Sequence, residues 1–135
     1  MKAEVYLYTL TDKIIISDMD GTMTKTDIRG FYHNCKGNHY LHDGYETFVR
    51  ELMHNGYKII WITMRSITMY AFSKRYIRQY VGVEGALFPE PEEFFPSFKK
   101  EIMKKTGNIK TNMIRMIREL FPLEVNPFDG GLGNR

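Results

Sequence analysis

The chain is short of the features that would place it in an oxidising or membrane-spanning setting. A single cysteine, Cys35, excludes an intramolecular disulfide and fits a reducing compartment. No apolar run approaches the roughly 18 residues that a membrane-crossing helix needs. Lys2 and Glu4 stand at the start with no apolar core behind them, so no signal peptide is expected. Low-complexity tracts are missing as well. Net charge is mild, 19 Lys and Arg against 16 Asp and Glu leaving +3, and no nucleic-acid partner is expected. What remains is ordinary globular composition over 135 residues. That length predicts one domain, able to bury about two-thirds of the surface its unfolded chain would expose.

The informative stretch is 13–24, KIIISDMDGTMT. Ile14, Ile15 and Ile16 form a β-branched run suited to a strand buried on both faces of a parallel sheet. The run stops at Asp18-Met19-Asp20-Gly21-Thr22, which puts two carboxylates at the carboxyl edge of a central strand, where open α/β sheets bind ligands. Carboxylates at this spacing suit phosphoryl transfer through a covalent intermediate. Asp18 is the candidate nucleophile, and Asp20 the candidate acid that protonates the leaving alkoxide and the base that activates water. Mg²⁺ on these carboxylates would neutralise phosphate charge. Gly21 permits the sharp backbone exit, and the Thr22 hydroxyl is expected to fix the Asp18 carboxylate.

Around this centre the pattern alternates strand and helix. Residues 3–8, AEVYLY, read as a half-buried strand. Residues 25–43 form a long polar loop holding His33, Cys35, His39 and His42, whose spacings match no common zinc frame. Asp43 is placed to cap a helix starting at Gly44 or Tyr45, with Asn55-Gly56 as its stop. A second buried strand, 57–62, ends in Thr63-Met64-Arg65, and a helix over 66–80 is expected to bury Ile67, Tyr70, Ala71, Ile77 and Val81. A third strand over 85–88 runs into Pro89-Glu90-Pro91. Phe94, Phe95, Phe98, Ile102 and Met103 read as core. Lys110 opens an amphipathic helix with Met113, Ile114, Ile117, Leu120 and Phe121 on one stripe, closed by Pro122. A fourth strand is expected over 125–128. Residues 99–119 carry Lys99, Lys100, Lys104, Lys105, Lys110, Arg115 and Arg118 against Glu101 and Glu119. This bias suits solvated helix faces, or a surface that attracts phosphate-rich lipid or nucleic acid.

The D-x-D-G-T run after an apolar strand resembles motif I of the haloacid dehalogenase (HAD) superfamily. The ordered set of motifs is closer still to the lipins, the Mg²⁺-dependent phosphatidate phosphatases, and to their HAD-like LNS2 domain. The stretch 13–30 resembles their motif I with its trailing Thr-Lys-x-Asp. His42-Asp43-Gly44 and 55–58 match their helix and second strand, and 63–67 corresponds to their Ser-Ala-Arg-Ala-Ile with Thr63 keeping the hydroxyl. Residues 98–102 and 109–110 are similar to the approach to the motif III lysine, and 120–122, 127–128 and 133–135 close the match.

The resemblance implies an α/β, HAD-like Rossmannoid three-layer domain with a central, mainly parallel sheet over 13–135. Residues 1–12 would be a remnant strand of a preceding immunoglobulin-like domain. Dephosphorylation of phosphatidic acid to diacylglycerol is implied, with Asp18 and Asp20 catalytic and also on Mg²⁺. Gly21, Thr22, Thr63, Met64, Arg65 and Lys110 would bind substrate, Lys110 as the phosphate-neutralising lysine. It further implies a cytoplasmic protein associating peripherally with endoplasmic reticulum or nuclear membrane. In lipins a motif IV aspartate, a further Mg²⁺ ligand, follows the Gly-Asn-Arg that here ends at Arg135, so the chain is expected to be cut at both ends. Two other functions suit the same features: a phosphatidate-binding module without catalysis, and a HAD phosphatase for a soluble phosphomonoester.

Overall fold

The triple-isoleucine run becomes β1, Lys13–Asp18, at the middle of the sheet. The computed structural model describes residues 4–25, 41–90 and 109–134. Within them follow α1 (Tyr45–His54), β2 (Tyr57–Ser66), a 3₁₀ turn (Ile67–Met69), α2 (Tyr70–Tyr76), a π-helical turn (Ile77–Val81), β3 (Ala86–Glu90), α3 (Ile109–Arg118) and β4 (Phe128–Leu132). The strands lie in the order β3-β2-β1-β4, and each pairs parallel with its neighbour. The α/β fold expected from the sequence is therefore the one observed.

Period-2 alternation divides the core between the two faces of this sheet. Ile15, Ile59, Trp61 and Leu87 point to one face, where Tyr45 and Val49 of α1 and Tyr76, Ile77 and Val81 cover them. Ile14, Ile16, Ile60, Ile62 and Ala86 point to the other, under Met113 and Ile117 of α3. Because β4 returns beside β1 on the side away from β2, the strand order reverses at β1. Its carboxyl end is the topological switch point, where such sheets bind ligands.

Several local expectations change. Residues 4–12 form no strand. Tyr6 and Tyr8 pack against the α3-side core, while Val5 and Leu7 face solvent, so the alternation survives without a ladder partner. Gly44, not Asp43, caps α1, with a left-handed backbone and no side-chain cap bond, because Asp43 is turned outward to Lys25 at 2.7 Å. Asn55 and Gly56 end the helix as expected, Gly56 with φ 87°. The helix expected over 66–80 is broken into three turn types, and its buried residues are Ser73, Lys74, Tyr76, Ile77 and Val81, with Ile67 and Ala71 exposed. α3 stops at Arg118, whose guanidinium caps the Phe121, Pro122 and Leu123 carbonyls, leaving Leu120 exposed. β4 starts at Phe128 rather than 125. The aromatic run 94–103, the lysines at 99–105 and His33, Cys35 and His39 lie outside the described residues.

Candidate active site

β1 pairs with β2 as far as Asp18↔Ile62 and with β4 as far as Ser17↔Leu132. Beyond that point the chain leaves the sheet in a tight turn. The Met19 amide still reaches the Ile62 carbonyl at 3.2 Å, and the Met23 and Thr24 amides both return to the Met19 carbonyl at 3.1 and 3.0 Å. Gly21 supplies the positive φ, 80°, that this turn needs. Asp18 and Asp20 are thus fixed at the sheet's carboxyl edge, each with 11% of its side chain exposed.

Asp18 shares the parity of Ile14 and Ile16 and so faces α3. There Lys110, 92 residues later in the chain, puts its ammonium 2.6 Å from Oδ2. The other oxygen, Oδ1, is buried and has no hydrogen-bond partner among the described residues. Such a group carries a desolvation cost that a ligand or ion would relieve.

Asp20 is held by β2. The Thr63 hydroxyl donates to Oδ2 at 2.7 Å, and Arg65 forks onto Oδ1 through Nε at 2.9 Å and Nη2 at 2.6 Å. Between Ile62 and Ser66 the pairing of β2 with β3 slips. Thr63, Met64 and Arg65 lie in this bulge, the kind of irregularity that re-aims side chains beside a site. Arg65 was expected at the substrate. It is instead 1% exposed, anchored behind Asp20 with Nη1 3.4 Å from the Ser73 hydroxyl. Thr63, expected on a phosphoryl oxygen, is engaged with Asp20 and accepts from the Arg65 amide at 3.1 Å.

Two further expectations fare differently. The Thr22 hydroxyl does not reach Asp18. It is buried without a hydrogen-bond partner among the described residues, inside the turn that the Met23 and Thr24 amides close onto the Met19 carbonyl. Met64 is half-buried beside Thr63. Metal ligation by the Asp20 side chain meets a competing arrangement, since both its oxygens are already bonded. Among the described residues there is no group of three His, Cys, Asp or Glu that could hold a metal.

The sequence gives no sign of the buried network behind the edge. Trp61 Nε1 donates to the Tyr45 hydroxyl at 3.0 Å, and Tyr45 shares a hydrogen bond of 2.7 Å with the Ser17 hydroxyl. Ser17 in turn donates to the Asp18 carbonyl at 3.0 Å. Burial raises the Tyr45 pKa, so its proton stays available as a donor.

A lysine from α3 stands on one Asp and a strand-end hydroxyl on the other, at one parallel edge, and comparison with known sequences decides the family. The model of LNS2 (Lipin/Ned1/Smp2) matches residues 1–135. This chain belongs to the LNS2 family. Relatives include the mouse (Mus musculus) phosphatidate phosphatase LPIN3, 32% identical over 99% of this chain and 16% of that protein. The human phosphatidate phosphatase LPIN2 is 33% identical over 97% of this chain and 15% of its own length. Arabidopsis thaliana phosphatidate phosphatase PAH1 is 29% identical over 98% and 15%. The LNS2 chain thus spans about a sixth of the length of the curated relatives it matches.

Proposed function

We propose that the site hydrolyses a phosphomonoester through an aspartyl-phosphate on Asp18, with phosphatidate as substrate and diacylglycerol and phosphate as products. The observation that carries this is the state of Asp18: one oxygen is neutralised by Lys110 and the other is buried without a partner beside a second, fully engaged carboxylate. The choice of phosphatidate rests on the relatives, whose names give that activity.

An Asp18 carboxylate oxygen bonds to phosphorus as the phosphorus–oxygen bond to the glycerol breaks, and Asp20 passes its proton to the departing alkoxide. Asp20 then takes a proton from water, whose oxygen attacks phosphorus and frees Asp18 and phosphate. Thr63 suits both halves of this cycle. A hydroxyl both donates and accepts, so it can donate to Oδ2 when Asp20 is a carboxylate and accept from it when Asp20 is protonated. Arg65 holds Oδ1 in either state. Lys110 and the Asp18 backbone stay fixed, and Lys110 offsets the negative charge brought by the phosphate.

Mg²⁺ binds through one or two carboxylates together with waters and substrate phosphate oxygens, and the partnerless oxygen of Asp18 fits that donor set. With both Asp20 oxygens engaged, Asp18 is the side chain that would hold the ion. When bound, Mg²⁺ would neutralise charge on the phosphoryl oxygens.

A cytoplasmic location at the surface of the endoplasmic reticulum or nuclear membrane goes with this substrate. Among the described residues no helix is long and apolar enough to cross a membrane, so contact with lipid would be peripheral. The native protein carrying this chain should release inorganic phosphate from vesicles containing phosphatidate, and prefer them to soluble sugar phosphates. Binding to those vesicles without phosphate release would favour a non-catalytic module instead, and faster release from soluble esters would move the substrate class.

A further inference from the structure

The polar chain behind β1 has a direction. Indole Nε1–H can only donate, so the Tyr45 hydroxyl accepts from Trp61. Its own proton then has Ser17 as its partner, and the Ser17 proton goes to the Asp18 carbonyl. This is the one arrangement in which each proton of the chain is used. Trp61 and Ser17 are fully buried and Tyr45 nearly so, in surroundings where hydrogen bonds are strong and losing one is costly.

The end point matters because of where the sheet stops. The Met19 amide points to β2, bonding Ile62, so the Asp18 carbonyl across the same peptide points away from β2, toward the β4 side. Pairing with β4 has ended at Ser17↔Leu132. The carbonyl of Asp18 therefore lies past the last ladder position, and the Ser17 hydroxyl supplies the hydrogen bond that the sheet does not. Tyr45 opens α1, and its hydroxyl is the acceptor for the Trp61 N–H. An apolar residue would fill the α1 side of the core equally well, and it would leave the Trp61 N–H without its acceptor.

We propose that Tyr45 is a positioning residue: through Ser17 it fixes the peptide that carries Asp18, and so the direction in which the Asp18 carboxylate meets phosphorus. The inference rests on Asp18 being the nucleophile, and the test separates the two. Beryllium fluoride with Mg²⁺ mimics a phosphoryl group on an aspartate, and its affinity for the native protein is read by calorimetry without turnover. Tyr45→Phe should weaken that affinity about tenfold and lower kcat about tenfold, with KM for phosphatidate vesicles unchanged, the scale of one buried hydrogen bond. Ser17→Ala should do the same, and Tyr45→Phe with Ser17→Ala should be no worse than either alone, since both cut one chain. Tyr45→Phe also orphans the Trp61 donor, so the variant is less stable. Adding Trp61→Phe removes that orphan but opens a cavity beside Gly85, so melting temperature should stay below the native value and kcat should stay low. Recovery of kcat in that double variant would overturn the proposal, as would unchanged beryllium fluoride affinity in Tyr45→Phe. A wild-type protein that takes up no beryllium fluoride would instead overturn the assignment of Asp18.

Discussion

At the scale of single residues, the pairing of Arg65 with Asp20 has the largest consequence. A guanidinium with 1% exposure needs partners that offset its charge, and a carboxylate and the Ser73 hydroxyl meet it. Arg65→Ala should destabilise the fold by about 3–5 kcal/mol, the range for removing one partner of a buried ion pair, and abolish turnover by releasing Asp20. Arg65→Lys keeps the charge but lacks the fork that grips one oxygen from two nitrogens. It should recover much of the stability and little of the rate. Urea midpoints read alongside phosphate release would separate these effects. Equal recovery of both by lysine would show that charge alone matters.

The placement of the candidate site residues was legible in part. The spacing of Asp18 and Asp20 after a triple-Ile strand located the site, and the order of motifs located Thr63 and Lys110. The pairing of Arg65 with Asp20 was not legible, because it depends on a bulge between Ile62 and Ser66 that no residue type announces. The Tyr45–Ser17–Trp61 chain was hidden for another reason: the pattern puts Tyr45 at a helix start and Trp61 in a buried strand, but says nothing about what their polar tips meet.

At the scale of elements, strands were read more reliably than the chain between them. Buried parallel strands leave a continuous apolar run, and β1, β2 and β3 were found near their observed positions. Residues 66–80 were expected as one helix, yet 67–81 fold as a 3₁₀ turn, a short α-helix and a π-helical turn. Tertiary demands decide this segment: Ser73 must reach Arg65, and the Lys74 ammonium must reach the Gly85 carbonyl at 2.6 Å. Gly85 itself is a packing constraint. A Cβ there would stand 2.5 Å from Trp61 Cζ3 and 2.6 Å from the Ile59 carbonyl oxygen, and neither can yield easily, since the indole is tied to Tyr45 and Ile59 lies within β2. Gly85→Ala should cost about 1–3 kcal/mol by overpacking, measurable as a lower urea midpoint with unchanged slope. A neutral substitution would mean that β3 can shift away from β2.

At the scale of the whole molecule, the leading segment is held to α2 and β2 by ion pairs and hydrogen bonds, beside the packing of Tyr6 and Tyr8, rather than by a ladder. Glu4 accepts from Tyr6 at 2.6 Å and Tyr70 at 2.8 Å and pairs with Lys74 at 3.0 Å. Asp12 pairs with Lys58 at 2.7 Å. Hydrogen bonds from Tyr6, then Lys74 and Tyr70, lower the Glu4 pKa from 4.5 to about 2, and the Lys58 hydrogen bond lowers that of Asp12. A depressed carboxylate pKa stabilises the fold above its unfolded value, and that contribution fades as pH falls through the folded one. Stability should therefore decline as pH falls from 4.5 toward 2, and Glu4→Gln should flatten the decline. Glu4 is 39% exposed, so solvent and salt reduce the size of the effect. A pH profile of thermal midpoints identical in the two proteins would show that Glu4 does not hold this segment.

The central claim is that Asp18 carries phosphate during turnover. The native protein, mixed with phosphatidate vesicles and Mg²⁺, quenched within its first turnovers and reduced with borohydride, should yield homoserine in place of Asp18 when its peptides are read by mass spectrometry. Asp18→Asn, folded as judged by its circular dichroism, should give neither phosphate nor modification. Phosphate release with Asp18 unmodified, or sustained in Asp18→Asn, would contradict the account.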